Sequence, residues 1–127
     1  MNSQESDDYF QDEPPKFTIG QAVSHRRYQY RGLVVDFDLH CRADEDWYST
    51  NRTQPDRSQP WYHVLVDGSD AVTYAAQVNL EADHTGQPVH HPLVPHLFER
   101  FEAGRYERND TPWPGWNDTG STTENEH

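Results

Sequence analysis

Apolar and polar residues alternate along the stretch LVVDFD, residues 33–38, and this alternation is typical of a β-strand. Successive side chains of a strand point to opposite faces of the sheet. We therefore expect a strand with one predominantly apolar face. The pattern places Leu33, Val35 and Phe37 on one face, and Val34, Asp36 and Asp38 on the other.

A second stretch, WYHVLVD at residues 61–67, has the strongest strand pattern in the chain. Apolar side chains occupy both of its faces, which is typical of a central strand that is covered on both sides. The two faces are Tyr62, Val64 and Val66 on one side, and Trp61, His63 and Leu65 on the other.

Shorter segments complete the predicted sheet. Residues 21–26 predict a short strand, and the turn DGSD at 67–70 predicts a hairpin that leads into a strand at 71–76. Residues 78–80 predict a closing turn or 3₁₀ segment. Four or five short strands are too few for two full sheets, so the pattern favours a mostly β fold, a small SH3-like antiparallel β-barrel, because closure leaves no exposed strand edge.

Residues 39–60 form a connection of 22 residues between two predicted strands. Loops longer than about 12–15 residues are uncommon unless they are functional or disordered. Asp44 is placed to cap a short helical turn that runs through Tyr48.

The stretch HPLVPHLFERFEAG, near the C-terminal end, has helical spacing of its apolar residues. Val94, Leu97, Phe98 and Phe101 fall at positions i, i+3, i+4 and i+7. Gly104 suits the position after a helix end. We therefore predict one short helix over about 93–103, which is too short to hold without docking on the barrel or on another chain.

Charge is concentrated at the two ends of the chain. The net charge is −12, and residues 1–15 hold five acidic and no basic residues, while residues 111–127 hold three acidic and no basic residues. Segments so poor in apolar residues cannot bury enough surface to fold. We predict an ordered domain at 16–108 between disordered tails at 1–15 and 109–127. Trp113 and Trp116 either fold back over the domain or form a short motif that a partner recognises.

The sequence favours a cytoplasmic protein. Cys41 is the only cysteine, so an intramolecular disulfide is impossible. The chain shows neither the apolar core of a secretory signal nor a run of about 18 apolar residues that could span a membrane. We therefore expect no membrane partner.

Catalytic and metal-binding motifs are missing from the sequence. Zinc could be assigned to His84, His90 and His91 together with Cys41, but no spacing fixes two ligands on one element. A nucleophile elbow and a phosphate-binding loop are also missing. We therefore expect no enzymatic activity, no cofactor and no metal site.

The stretch HRRYQYRG, residues 25–32, is the strongest candidate for a binding site. Three arginines and two tyrosines lie within its eight residues. Guanidinium groups bind phosphate or carboxylate, and tyrosines supply rigid contact area. The alternative is a solvated turn whose tyrosines cover one end of the barrel. For His63 we favour a structural role over recognition of a ligand beside Trp61.

Several segments together resemble the YccV-like family, also called heat-shock protein HspQ or the hemimethylated-DNA-binding domain. The segments are FTIGQAVSHRRYQYRGLVVDFD, QPWYHVLVD and TYAAQVNLE, and the pattern covers residues 17–80 in order. The resemblance implies a small cytosolic SH3-like barrel without catalytic activity, associated with hemimethylated DNA and with regulated protein degradation under heat stress. The residues on the family pattern are Gly20, His25, Tyr30, Gly32, Trp61, Tyr62, His63 and Tyr74.

Two functions stay open, and the charge of the chain favours the first. The first is a stress-response adaptor or regulator of protein degradation, with a protein partner such as an ATP-dependent protease system. The second is recognition of hemimethylated duplex DNA, which a net negative chain repels at long range. A homo-oligomer is compatible with both. The candidate binding residues are Arg26, Arg27, Tyr28, Tyr30, Arg31, Trp61, His63 and Tyr74.

Overall fold

The computed structural model describes residues 13–50 and 54–113. Most of the two predicted tails, residues 1–12 and 114–127, therefore lies outside the described residues, as does Trp116. None of the described helices is long and apolar enough to span a membrane. In chain order the elements are β1 (Ala22–His25), β2 (Arg31–Asp38), α1 (Glu45–Thr50), β3 (Trp61–Val66), β4 (Val72–Ala76), a 3₁₀ turn (Gln77–Asn79), β5 (Leu80–Ala82), α2 (Val94–Leu97), β6 (Phe98–Glu102) and β7 (Arg105–Arg108).

Five strands form one antiparallel sheet in the order β4-β3-β2-β1-β5. This confirms a mostly β fold with the four predicted strands, the hairpin and the 3₁₀ turn, while the fifth strand, β5, was not predicted. The 3₁₀ turn joins the two edge strands, β4 and β5, which do not pair with each other in the described part of the chain. Closure into an SH3-like barrel therefore stays a prediction.

Both faces of the sheet are covered, as the pattern of residues 61–67 predicts. On one face Val34, Tyr62 and Val64 pack with Phe17 and with the start of β5. The opposite face divides into two parts. Leu33, Val35 and Leu65 pack with Leu97, Phe98 and Tyr106 from the C-terminal elements, and Trp61, Tyr74 and Ala76 pack with Cys41, Ala43, Trp47 and Tyr48 from the long connection.

A β-bulge in β2 reverses the predicted faces of its last residues. The partner of Val34 is Val64, and the next paired residue is Asp36, opposite His63, so Val35 is an extra residue. Phe37 consequently lies beside Tyr62, with ring centroids 5.7 Å apart, on the same face as Val34. The prediction that Phe37 shares a face with Leu33 was wrong, because alternation cannot reveal an inserted residue.

The predicted helix over 93–103 was also wrong beyond its first turn. Helix α2 ends at Leu97, and Phe98–Glu102 is the first strand of a hairpin with β7. Glu102 pairs with Arg105 across Ala103 and Gly104, whose φ angles are 55° and 77°. Two consecutive residues with positive φ make a two-residue hairpin turn of the I′ type. Gly104 therefore serves a hairpin, where the sequence suggested a helix end.

The long connection lies against β4, at the edge of the sheet. Asp44 caps α1 as predicted, since its Oδ1 accepts a hydrogen bond of 2.9 Å from the N–H of Trp47. Arg57 fastens the connection by donating to the carbonyl of Ala43 at 2.6 Å. Tyr74 and Ala76 of β4 are fully buried, so the connection covers an edge that other chains could otherwise pair with.

Gly32 is required by a close approach of two strands. A Cβ atom at this position would lie 2.4 Å from Cγ1 of Val64 and 2.7 Å from the carbonyl oxygen of Leu65. No larger residue fits without displacing β3.

Candidate binding surface

The candidate binding surface is built on the tight turn between β1 and β2. The N–H of His25 donates to the carbonyl of Tyr30 at 2.8 Å, and the N–H of Gln29 donates to the carbonyl of His25 at 2.8 Å. Gln29 has a φ of 62°, a conformation that costs a non-glycine residue free energy. These contacts close the turn and point Arg26, Arg27 and Tyr28 outwards.

His25 forms the base of this turn. Its ring stacks between Tyr28 and Tyr30, with centroid distances of 4.8 and 5.1 Å. Its Nδ1 accepts hydrogen bonds from the backbone N–H groups of Arg27 and Tyr28, at 3.1 and 3.0 Å. Nδ1 must be deprotonated to accept them. Burial, with a smaller contribution from the charge of Arg27, lowers the pKa of His25 to about 4, so the neutral ring holds the turn at neutral pH.

We call Arg26, Arg27 and Tyr28 together the turn patch. All three are exposed, and Tyr28 retains 40% of its surface in solvent. The Arg26 guanidinium lies 3.8 Å from the carboxylate of Glu81 in β5, and both side chains are more than half exposed. The turn patch therefore presents one tyrosine ring and two arginines, of which Arg26 already faces an acid.

Arg31, the third arginine of the stretch, is a structural clamp. Its guanidinium donates to Asp67 at 2.9 Å and to Asp83 at 3.1 Å, and also to the backbone carbonyl of Gln87 at 2.7 Å. The hydrogen bond that Arg31 donates to Asp83 is the largest cause that raises the pKa of Arg31. Although burial alone would raise the pKa of Asp83, the hydrogen bond from Arg31 holds it below its usual range. The structure thus does not place Arg31 in the turn patch.

Tyr30 faces the sheet. Its hydroxyl lies 2.7 Å from that of Thr73 in β4, and its ring packs with the cluster around Tyr62 and Val64. Burial raises the pKa of Tyr30 far above its ordinary value. Tyr30 therefore supports the turn and offers little surface to a partner.

The other three candidate residues lie on the opposite face of the sheet. Trp61, His63 and Tyr74 are at most 1% exposed. The Tyr74 hydroxyl donates to Oδ2 of Asp38 at 2.6 Å, and Nε2 of His63 lies 3.4 Å from the same oxygen. Burial alone would raise the pKa of Asp38, but the hydrogen bonds from His63 and Tyr74 hold it below its usual range. These residues build the fold, and sequence reasoning missed Asp38 as their common partner.

Trp113 covers this buried group. Its ring centroid lies 5.8 Å from that of His63, and it packs against the cluster that contains Leu65 and Leu97. The hypothesis that the C-terminal tryptophans fold back is thus confirmed for Trp113.

A groove of about 440 Å³ adjoins the turn patch and shares Arg26 with it. Sequence reasoning missed this groove because its walls, around Lys16 and Val78, come from distant parts of the chain. Within the described ranges, no group of three His, Cys, Asp or Glu side chains is placed to hold a metal ion.

A family model described as "Hemimethylated DNA-binding protein YccV like" matches residues 15–105. The chain belongs to the YccV-like family. Among its relatives are proteins named F-box only protein 21 from Mus musculus, Pongo abelii and Homo sapiens, each 34% identical over 97 residues. The match covers 73% of this chain and 15% of each relative, so the chain corresponds to a small part of those proteins.

The residues that carry the YccV-like pattern are mostly structural in this chain. Seven of these residues are buried: Gly20, His25, Gly32, Trp61, Tyr62, His63 and Tyr74. The pattern therefore identifies the fold of the family, whose description names a binding function. The exposed side chains of the turn patch lie outside the pattern.

Proposed function

We propose that this YccV-like chain is a non-enzymatic protein-binding module that acts in the cytoplasm as an adaptor or regulator of protein degradation under stress. The observation that carries the proposal is which of the three arginines at the turn contact carboxylates of the chain itself. Arg31 is held by Asp67 and Asp83, and Arg26 faces Glu81. Of the three, Arg27 has no carboxylate within ion-pair distance in the described part of the chain.

So small a positive surface suits a protein better than DNA. Affinity for duplex DNA comes largely from phosphates neutralised by Lys and Arg. A chain of net charge −12 repels that polyanion, whereas one tyrosine and two arginines are typical contacts of a protein interface.

The relatives support a modular role. In the proteins named F-box only protein 21, the matched region is 15% of a longer chain. A domain that recurs inside a longer protein suits a binding module, and we propose a protein partner, such as an ATP-dependent protease system, for the present chain.

The second candidate is recognition of hemimethylated DNA, which the description of the family favours. Tyr28 could stack on an exposed base, and Arg27 could contact a phosphate. This function requires that the attraction between the turn patch and DNA outweigh the repulsion of DNA by the negative charge of the whole chain.

The proposed function is tested by quantitative affinity capture from heat-stressed cells. The test variant is Arg26→Ala with Arg27→Ala. The matched control is Arg42→Ala with Arg100→Ala, which removes two exposed charges elsewhere. We expect the control to capture a set of proteins that the test variant does not capture. At least one of these proteins, once purified, should bind the wild-type chain directly, and its cellular half-life should change when the test variant replaces the wild type. Equal capture by both variants would refute the proposal.

A further inference from the structure

The groove beside the turn patch lies along the outer edge of β5. Its apolar wall includes Phe17, Val78 and Ala82, and its cations are Lys16 and Arg26. Val78 is 59% exposed, although valine is usually buried. The lining also contains Glu81, which lies beside Arg26. Phe17 is buried and Ala82 is half-buried, so the exposed apolar surface of the groove is the side chain of Val78, which lies beside a small excess of positive charge.

Strand β5 offers unpaired backbone groups to this groove. The N–H of Arg26 donates to the carbonyl of Asn79, and the N–H of Asp83 donates to the carbonyl of Ala22. Backbone groups of a strand alternate in direction, so residues 79, 81 and 83 face β1, while the N–H and carbonyl of Ala82 face outwards. Since β5 is an edge strand among the described strands, an added strand could pair there.

The edge of β5 differs in this respect from the other edge of the sheet. At β4, Tyr74 and Ala76 are fully buried and pack with side chains of the long connection. At β5 the side chain of Arg26 crosses the edge, and its Nε lies 3.4 Å from the carbonyl of Leu80, a weak hydrogen bond that a ligand can displace.

We propose that the edge of β5 binds an extended peptide in which apolar side chains alternate with carboxylates. The inference rests on the proposed protein-binding function and names the kind of segment that is bound. The peptide backbone pairs with Ala82, its apolar side chains cover Val78, and its carboxylates meet Lys16 and Arg26.

The probe is a fluorescein-labelled seven-residue peptide of alternating valine and aspartate, titrated into the full chain and followed by fluorescence anisotropy. Two further peptides serve as controls. One replaces aspartate by lysine, and the other carries N-methyl groups on alternate backbone nitrogens. We expect saturable binding of the first peptide and affinities at least about tenfold weaker for both controls.

Two protein variants locate the binding. Val78→Asp and Val78→Lys change the same exposed position and both remove its apolar contact. The aspartate also repels the peptide carboxylates, so Val78→Asp should bind about tenfold or more weaker than Val78→Lys. Ala82→Pro removes an outward N–H without breaking the pairing with β1, so it should abolish binding while the chain stays folded. If this variant does not fold, the pair at Val78 decides the question alone.

Several outcomes would overturn the inference. Three of them concern the peptide: no saturable binding up to about 1 mM peptide, equal binding of the lysine peptide, or equal affinities of the two Val78 variants. The fourth is a dimer in sedimentation that Val78→Asp dissociates, because such a dimer would assign the groove to a second copy of the chain. The capture experiment separates the two proposals. If Val78→Asp captures proteins as the wild type does and the Arg26 and Arg27 variant does not, the proposed function stands and the peptide groove is wrong.

Discussion

Arg31 shows how a single residue can look like a ligand contact and serve the fold. It joins β2 to Asp67, after β3, and to Asp83, after β5. Asp67 and Asp83 lie 36 and 52 residues from Arg31 along the chain, so no local pattern reveals these contacts. The side chains of Arg31 and Asp83 are 22% and 4% exposed, which makes the pair sensitive to loss of one partner.

Arg31→Ala should destabilise the chain by about 2–3 kcal/mol, because it leaves the Asp83 carboxylate without its main partner. Arg27→Ala is the matched control, since Arg27 is exposed, and surface substitutions usually change stability by less than about 0.5 kcal/mol. Urea unfolding measures both. Equal midpoints for the two variants would mean that the clamp contributes nothing to stability.

His25 predicts how stability depends on pH. Its folded pKa is about 4, below its ordinary value of 6.5. The unfolded chain therefore takes up a proton at His25 as the pH falls below 6.5, while the folded chain resists until about 4. Stability should fall through this window, by on the order of 3 kcal/mol in total. The lowered pKa values of Asp38 and Asp83 act in the same direction, but below about 3.8.

The His25 contribution can be isolated with His25→Asn, whose side-chain oxygen can replace Nδ1 as an acceptor without titrating. Unfolding free energies at pH 7 and 4.5 should differ clearly less in the variant than in the wild type. The same pH dependence in both proteins would assign the acid sensitivity to other groups.

At the scale of elements, the alternation of apolar and polar residues predicts where strands lie, but it does not reveal a β-bulge within a strand. The faces of β3 follow directly from its sequence, because each residue from Trp61 to Val66 pairs with β2 and the inserted residue lies in β2. In β2 the bulge at Val35 moves Phe37 to the other face. Phe98 and Phe101 have helical spacing, but they lie in a strand whose pairing with β7 shifts register between Phe98 and Arg100, and both rings contact Tyr106.

A substitution at Ala103 can distinguish the observed hairpin of β6 and β7 from the predicted helix. Ala103 has a φ of 55°, which alanine adopts at a cost and asparagine adopts readily. Ala103→Asn should raise the free energy of unfolding by about 0.5–1 kcal/mol. A helix through this position would respond in the opposite direction, because asparagine is a poorer helix former than alanine. Thermal unfolding of the two proteins gives the sign.

At the scale of the whole molecule, the candidate site could be predicted only in part. The exposed side chains of the turn patch follow from the sequence, since they lie in one tight turn. The roles of Trp61, His63 and Tyr74 do not, because burial depends on the long connection and on Trp113, which pack over them. The groove beside β5 is likewise a product of chain segments that meet only in the folded protein.

The net charge of the molecule bears most directly on its partner. A charge of −12 and a positive patch of two arginines favour a protein over a nucleic acid. This preference for a protein over DNA can be tested without knowing the partner.

The most direct test is the titration of labelled GATC-containing duplexes, hemimethylated, unmethylated and fully methylated, with the full chain at about 0.15 M salt, followed by anisotropy. We expect no saturable binding below about 100 µM protein and no difference among the three duplexes. Micromolar or tighter binding of the hemimethylated duplex, with clear discrimination against the other two and loss in the Arg26 and Arg27 variant, would contradict the account and make the turn patch a DNA contact.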